Sequence, residues 1–87
     1  MSNSNKTIID VRSEGEFAMG HAEGAMNIPL NEVESRVQEI EKMEGEIILC
    51  CASGNRSGMA QQMLQSKGIE CHNGGSWFAA ENYAMSL

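Results

Sequence analysis

The sequence predicts an α/β domain, a small and mostly parallel β-sheet flanked by helices on both faces, and three observations carry that expectation. Segments of strand character alternate with segments of helical character along the whole chain, the order of a parallel sheet covered by crossover helices. The run Ile47-Ile48-Leu49 is continuously apolar rather than alternating, as strands buried on both faces are. Finally, 87 residues with 41% apolar content suffice for one core and leave no room for a second, so residues 1–87 are read as a single domain.

The elements follow in order. Thr7–Val11 is short and β-branched and reads as the first strand. Ser13-Glu14-Gly15-Glu16 matches a capping box, with Ser at the N-cap and Glu three residues later, and opens a short helix through Met19 that Gly20 closes. Ala25–Ile28 reads as a second strand, stopped by Pro29. Asn31 is expected to cap an amphipathic helix carrying Val33, Val37 and Ile40 on one face, ended by Gly45. Residues 46–51 form the most apolar strand. A helix is expected over 57–67, terminated by Gly68, then a strand over Ile69–His72. Gly74-Gly75 reads as a tight turn before a C-terminal helix from Trp77 to Tyr83. With aromatic content at 5%, aliphatic side chains must fill the core, and the seven methionines are expected to serve there.

Composition excludes several function classes. Twelve acidic residues against six basic ones give a net charge of −6, and no Lys/Arg cluster exists to neutralise nucleic-acid phosphates. No apolar run approaches the roughly 20 residues that span a bilayer, and the N-terminal residues lack the apolar stretch of a signal peptide. The expectation is a cytoplasmic protein; a mature periplasmic form with its leader removed would look the same. Three cysteines, two of them adjacent, form no disulfide framework and suit a reducing compartment. No Cys-x-x-Cys spacing occurs and neighbouring Cys50 and Cys51 do not readily reach one tetrahedral ion, so neither metal nor other cofactor is expected.

The chemistry concentrates in residues 50–58, Cys-Cys-Ala-Ser-Gly-Asn-Arg-Ser-Gly. A thiol ends a strand, a short polar loop follows, and a helix begins. The free amides of that helix start carry about half a positive charge. A cysteine facing them ionises more readily, and the thiolate is the reactive form. Adjacent strand side chains point to opposite faces, so if Cys51 is the nucleophile, Cys50 is a buried structural thiol. Gly54 lets the backbone curl inward. Arg56 at a helix start is locally disfavoured by the dipole, which points to an anion-binding role in an otherwise acidic molecule. Cys71 and His21 read as structural, His72 as a surface residue, and Asp10 with Arg12 as organisers of the fold. The acidic residues Glu32, Glu34, Glu39, Glu41, Glu44 and Glu46 read as solvated.

Four segments together resemble the rhodanese family of sulfurtransferases in its small single-domain form. Asp10-Val11-Arg12 stands where the family has its first strand motif. Gly20-His21-Ala22-Glu23-Gly24-Ala25 with Asn27-Ile28-Pro29 is similar to its Gly-His-x-x-Gly-Ala-x-Asn-Ile-Pro element. Cys51-Ala52-Ser53-Gly54-Asn55-Arg56-Ser57 resembles its active-site loop, and Gly74-Gly75 its final turn. The resemblance implies that Cys51 is the persulfide-forming nucleophile and that Ala52, Ser53, Gly54, Asn55, Arg56 and Ser57 cradle the sulfur and its attached anion. It implies a thiosulfate sulfurtransferase: a small anionic sulfur donor such as thiosulfate, and a thiophilic acceptor such as cyanide, a thiol or a thioredoxin-like protein. Two departures stand out. Ala52 occupies a position where many members carry a basic or aromatic residue, and Trp77 follows Gly75 at closer spacing than usual.

Two rival readings remain at this point. One is a non-catalytic sulfur carrier or protein-interaction module. The other is a cysteine-dependent phosphatase or arsenate reductase, suggested by the Cys50-x5-Arg56 spacing. Leu49 precedes Cys50 where tyrosine phosphatases have a histidine, and the loop from Cys51 is one residue shorter than in the fold's oxyanion-handling relatives.

Overall fold

The computed structural model describes residues 6–43 and 45–85. Four strands, β1 (Lys6–Asp10), β2 (Met26–Asn27), β3 (Glu46–Cys51) and β4 (His72–Ser76), form one sheet in the order β2-β1-β3-β4. All neighbouring pairs are parallel. The helices are α1 (Glu14–Ala18), α2 (Leu30–Val33), α3 (Val37–Glu41), α4 (Asn55–Ser66) and α5 (Trp77–Met85), with a 3-10 turn at Glu34–Arg36 between α2 and α3.

The continuous apolar strand does what such strands do in a parallel sheet, burying both faces. Ile47, Leu49 and Cys51 join Ile9, Val11, Val33, Ile40, Ala60 and Leu64 in the larger core, beneath α2, α3 and α4. Ile48 and Cys50 point the other way, with Ile8, Ala22 and Ala80 of α5. Each fully buried Ile or Leu contributes about 1.5–3 kcal/mol through removal of apolar surface from water. The α/β sheet with helices on both faces is therefore as the sequence predicts.

Strand order sets the place of the site. The chain leaves β1 toward β2 on one side and leaves β3 toward β4 on the other. The segments that follow β1 and β3 thus diverge, opening a crevice at the carboxyl ends of these two central strands, the usual ligand position in open parallel sheets. Buried Asp10 closes the end of β1: the Arg12 guanidinium donates to both its carboxylate oxygens, at 2.8 to 3.0 Å, and to the Gly20 carbonyl at 2.6 Å. Asn27 donates its amide to the carbonyls of Asp10 and Arg12 and ties β2 to the same point. Asp10 and Arg12 are organisers of the fold, as expected.

Several local expectations are corrected. The last strand is His72–Ser76, not Ile69–His72. After Gly68, with φ +83°, the Ile69 amide returns to the Leu64 carbonyl and keeps 69–71 tied to the helix end. Gly74-Gly75 lies inside β4 and is not a turn. A Cβ on Gly74 would sit 2.8 Å from Ile48 Cγ2 and 3.0 Å from Ala80 Cβ, so glycine lets α5 and β3 close on the strand. Gly75, at φ +83°, carries a β-bulge: Leu49 pairs with Asn73 but Cys51 with Ser76, so β4 holds one extra residue.

The amphipathic helix is split by the 3-10 turn, and its N-cap is Pro29; Asn31 lies within α2. Helix α4 begins two residues earlier than expected, at Asn55. Glu32 and Glu39 both pair with Arg36, and Glu46 accepts from Tyr83 and pairs with His72, so these three acids lie on the solvated surface but in ion pairs and hydrogen bonds; Glu44 lies outside the described residues. Among the described methionines, Met19, Met26, Met59 and Met85 are exposed and Met43 and Met63 pack on the core, because Ile, Leu and Val already fill it.

Candidate active site around Cys51

Strand β3 delivers Cys51 to the crevice, nearly fully buried at 1% exposure. Residues 52–54 then turn the chain back over the sulfur. Gly54, at φ +105°, is the N-cap of α4, a conformation that L side chains rarely adopt; a Cβ there would also come 3.3 Å from Gly75 Cα. The turn aims the Gly54 amide at Cys51 Sγ, 3.0 Å away, and the Ser57 amide at 3.4 Å. The Ser57 hydroxyl stands 3.5 Å from the same sulfur.

These donors settle the sulfur's electrostatics. Burial pushes the Cys51 thiol up, but the Ser57 hydroxyl and the amides of Ser57, Ser53 and Gly54 outweigh it and bring the thiol down to about 7. Cys50 shows the opposite balance one residue earlier. Burial, then the charge of Asp10, drives it up to about 12, with only partial relief from Arg12. Of two adjacent thiols, only one is poised to ionise near neutrality. Cys71, pushed up by burial, is a structural thiol whose sulfur faces the Gln61 carbonyl at 3.9 Å.

The expected cradle is assembled in part. Cys51, Ser53, Gly54 and Ser57 converge on the sulfur, the last three through backbone amides and the Ser57 hydroxyl. Ala52 and Asn55 present exposed side chains beside it. Asn55, Arg56 and Ser57 belong to the first turn of α4. Arg56 is the departure that matters. Its guanidinium makes a bidentate bridge to the Glu16 carboxylate, at 2.8 and 3.0 Å. That arginine, then Ser13, holds the Glu16 carboxyl down at about 2. Glu16 is at the same time the reciprocal acid of the α1 capping box, accepting from the Ser13 amide at 3.0 Å while the Ser13 hydroxyl accepts from the Glu16 amide. The sequence marks Glu16 as a cap; its grip on the loop over Cys51 joins residues 40 positions apart and carries no local signal.

Two further points bear on the rival readings. Cys50 belongs to the core on the face of the sheet opposite Cys51, so the Cys50-x5-Arg56 spacing does not assemble into one site. His21 stacks on Phe17 and bonds its carbonyl through Nδ1 at 2.8 Å, away from the sulfur. Asn73 was not marked by the sequence at all. It donates from Nδ2 to the Gly54 carbonyl at 3.0 Å and accepts at Oδ1 from Ser57 Oγ at 2.7 Å, clasping the loop from β4.

Comparison with known proteins agrees with this geometry. A protein of Bacillus subtilis named as a candidate sulfur carrier, YrkF, is 38% identical over 69 residues, covering 79% of this chain and 37% of that protein. The thiosulfate sulfurtransferase PspE of Escherichia coli is 34% identical over 61 residues, 69% of this chain and 59% of its own length. The human thiosulfate:glutathione sulfurtransferase is 32% identical, covering 97% of this chain and 77% of that protein. The chain thus spans between about a third and three fifths of the two bacterial relatives. Among solved structures, a rhodanese with anions from Escherichia coli superposes with a TM-score of 0.75 at 30% identity, covering 85% of this chain and 89% of that one. The human single-domain sulfurtransferase gives 0.71 at 27% identity, covering 95% and 85%. The rhodanese-like domain profile matches residues 1–80, nearly the whole chain, and with a thiol at the end of β3 beneath a loop of inward amides, this protein belongs to the rhodanese-like domain family of sulfurtransferases.

Proposed function

We propose that the protein transfers sulfane sulfur from a small anionic donor to a thiophilic acceptor through a persulfide on Cys51. The carrying observation is the pair of amides and the hydroxyl that meet on Cys51 Sγ, which favour the thiolate and leave a nest of donors for an anionic sulfur. In the first step the Cys51 thiolate attacks the outer sulfur of thiosulfate. A new S–S bond forms, the donor's S–S bond breaks, and sulfite leaves with its electron pair. In the second step a nucleophile such as cyanide or a thiol takes the outer sulfur, and the electrons of the Cys51 S–S bond return to Cys51 as thiolate. The two half-reactions are covalent catalysis of the ping-pong kind. A recess of about 310 Å³ lined by Val11, Ser13, Pro29, Leu30, Asn31 and Arg56 opens beside the loop and offers room for an acceptor's carbon skeleton. A cytoplasmic location suits the three free thiols.

Thiosulfate with cyanide should yield thiocyanate, and incubation with thiosulfate alone should add the mass of one sulfur to the Cys51 peptide. Sulfur loading without turnover on cyanide, glutathione or thioredoxin would favour the carrier reading that the name of the YrkF relative suggests. No loading from several sulfane donors would defeat both.

A further inference from the structure

The Ser57 hydroxyl has one proton and two claimants. Its oxygen lies 2.7 Å from Asn73 Oδ1 and 3.5 Å from Cys51 Sγ. The Asn73 carboxamide is oriented by two backbone groups of opposite kind: the Gly75 amide, at 3.0 Å, can only donate, and the Gly54 carbonyl, at 3.0 Å, can only accept. The side-chain oxygen therefore faces Ser57, and it has no proton to give. In the resting site the Ser57 proton must lie toward Asn73, which turns a hydroxyl lone pair toward the sulfur. That arrangement accepts an S–H bond from the Cys51 thiol, and the hydroxyl favours the thiolate only once it has turned toward the sulfur.

We propose that Asn73 is a positioning residue that competes with the Cys51 sulfur for the Ser57 proton, making the hydroxyl a rotor that follows the charge on the sulfur. While Cys51 is protonated, the donors run in one direction, from Cys51 S–H to Ser57 Oγ–H to Asn73 Oδ1. When Cys51 gives its proton to solvent, the Ser57 hydroxyl turns and donates to the sulfur; no covalent bond other than S–H is broken. Asn73 Oδ1 keeps its bond from the Gly75 amide, so the turn strands no polar group. The same turn would serve the anionic outer sulfur of a persulfide. Two features built into the fold hold Asn73 there. The bulge at Gly75 swings the Gly75 amide onto Oδ1, and Gly58 leaves space for the carboxamide, since a Cβ there would sit 3.3 Å from Nδ2.

The inference rests on Cys51 as the reactive thiol, but its test reads the sulfur directly and is independent of any donor or acceptor. The Cys51 titration would be followed by ultraviolet thiolate absorbance and by alkylation rate in four proteins: wild type, Asn73→Ala, Ser57→Ala and the double variant. Cys50 and Cys71 are pushed up by burial and stay silent over the range used. The charged neighbours of the loop, Arg56 with Glu16 from α1, and Asp10 at the end of β1 with Arg12 just beyond it, are present in all four. Asn73→Ala leaves the Gly54 carbonyl and the Gly75 amide in exposed positions that water can satisfy; in Ser57→Ala the Asn73 oxygen keeps its bond from the Gly75 amide, and circular dichroism checks each fold. Losing the clamp on Gly54 alters the loop equally with or without the hydroxyl, so the comparison between backgrounds isolates the rotor. Asn73→Ala should move the Cys51 titration lower by about 0.5–1 pH unit more when made in the wild type than when made in Ser57→Ala, the size of one neutral hydrogen bond. Equal shifts in the two backgrounds, or a difference of opposite sign, would overturn the proposal and leave Asn73 a simple loop clamp.

Discussion

At the scale of single residues, two neighbouring thiols with opposite surroundings make a sharp pair of expectations. Cys51→Ser should abolish sulfur transfer with the fold retained, while Cys50→Ser should keep most activity, as thiocyanate assays on both would show. Because Cys51 sits at about 7, its alkylation rate should climb through neutral pH and level off about a unit above, where an ordinary thiol would still be rising. The charge balance of the loop also differs from what the sequence alone suggests. Arg56 enters as the positive spot of an acidic chain, yet its charge is shared with Glu16. Glu16→Gln can preserve the reach to the cap amide while removing the negative charge. It should therefore lower KM for a dianionic donor by about 2–5-fold, the scale of an exposed ion pair, and the gain should shrink as salt is added. An unchanged KM would mean that the amides alone hold the anion.

Elements divide cleanly into those whose cause is local and those whose cause is distant. The α1 cap is legible because Ser13 and Glu16 are three residues apart and satisfy each other's backbone. Strand β3 is legible because burial on two faces leaves an unbroken apolar run. The centre of the candidate site is marked in the sequence for the same reason: a thiol, a glycine-bearing loop and a helix start are contiguous. Strand β4 is not, because His72-Asn73-Gly74-Gly75-Ser76 has the composition of a turn and becomes a strand only through the approach of Ile48 and Ala80 from other elements. Asn73 was invisible in consequence, since its reach to Gly54 and Ser57 depends on that strand and its bulge. The same packing yields a test: Gly74→Ala should destabilise the protein by about 1–3 kcal/mol, the usual effect of overpacking, as denaturant midpoints would register. A neutral outcome would mean that α5 moves away freely.

For the molecule as a whole, the two thiols pull stability in successive pH windows. Cys51 is lowered from 9.0 to about 7, so the folded state gains as pH rises through that interval, and the gain is lost on acidification through 7. Cys50 is raised from 9.0 to about 12, so above 9 the unfolded chain ionises this thiol while the folded chain does not, and stability falls across that interval. Thermal midpoints of the wild type should rise toward about pH 9 relative to Cys51→Ser and drop beyond it relative to Cys50→Ser. The bulge in β4 also has a meaning outside catalysis. A parallel sheet of four strands has two borders, each a row of backbone groups on which another chain could add a strand. Here β2 is only two residues long and is followed within two residues by Pro29, and β4 is kinked, glycine-rich and polar. Among the described residues neither border offers a straight template, so the device that aims Asn73 at the loop also discourages the addition of a strand from another molecule.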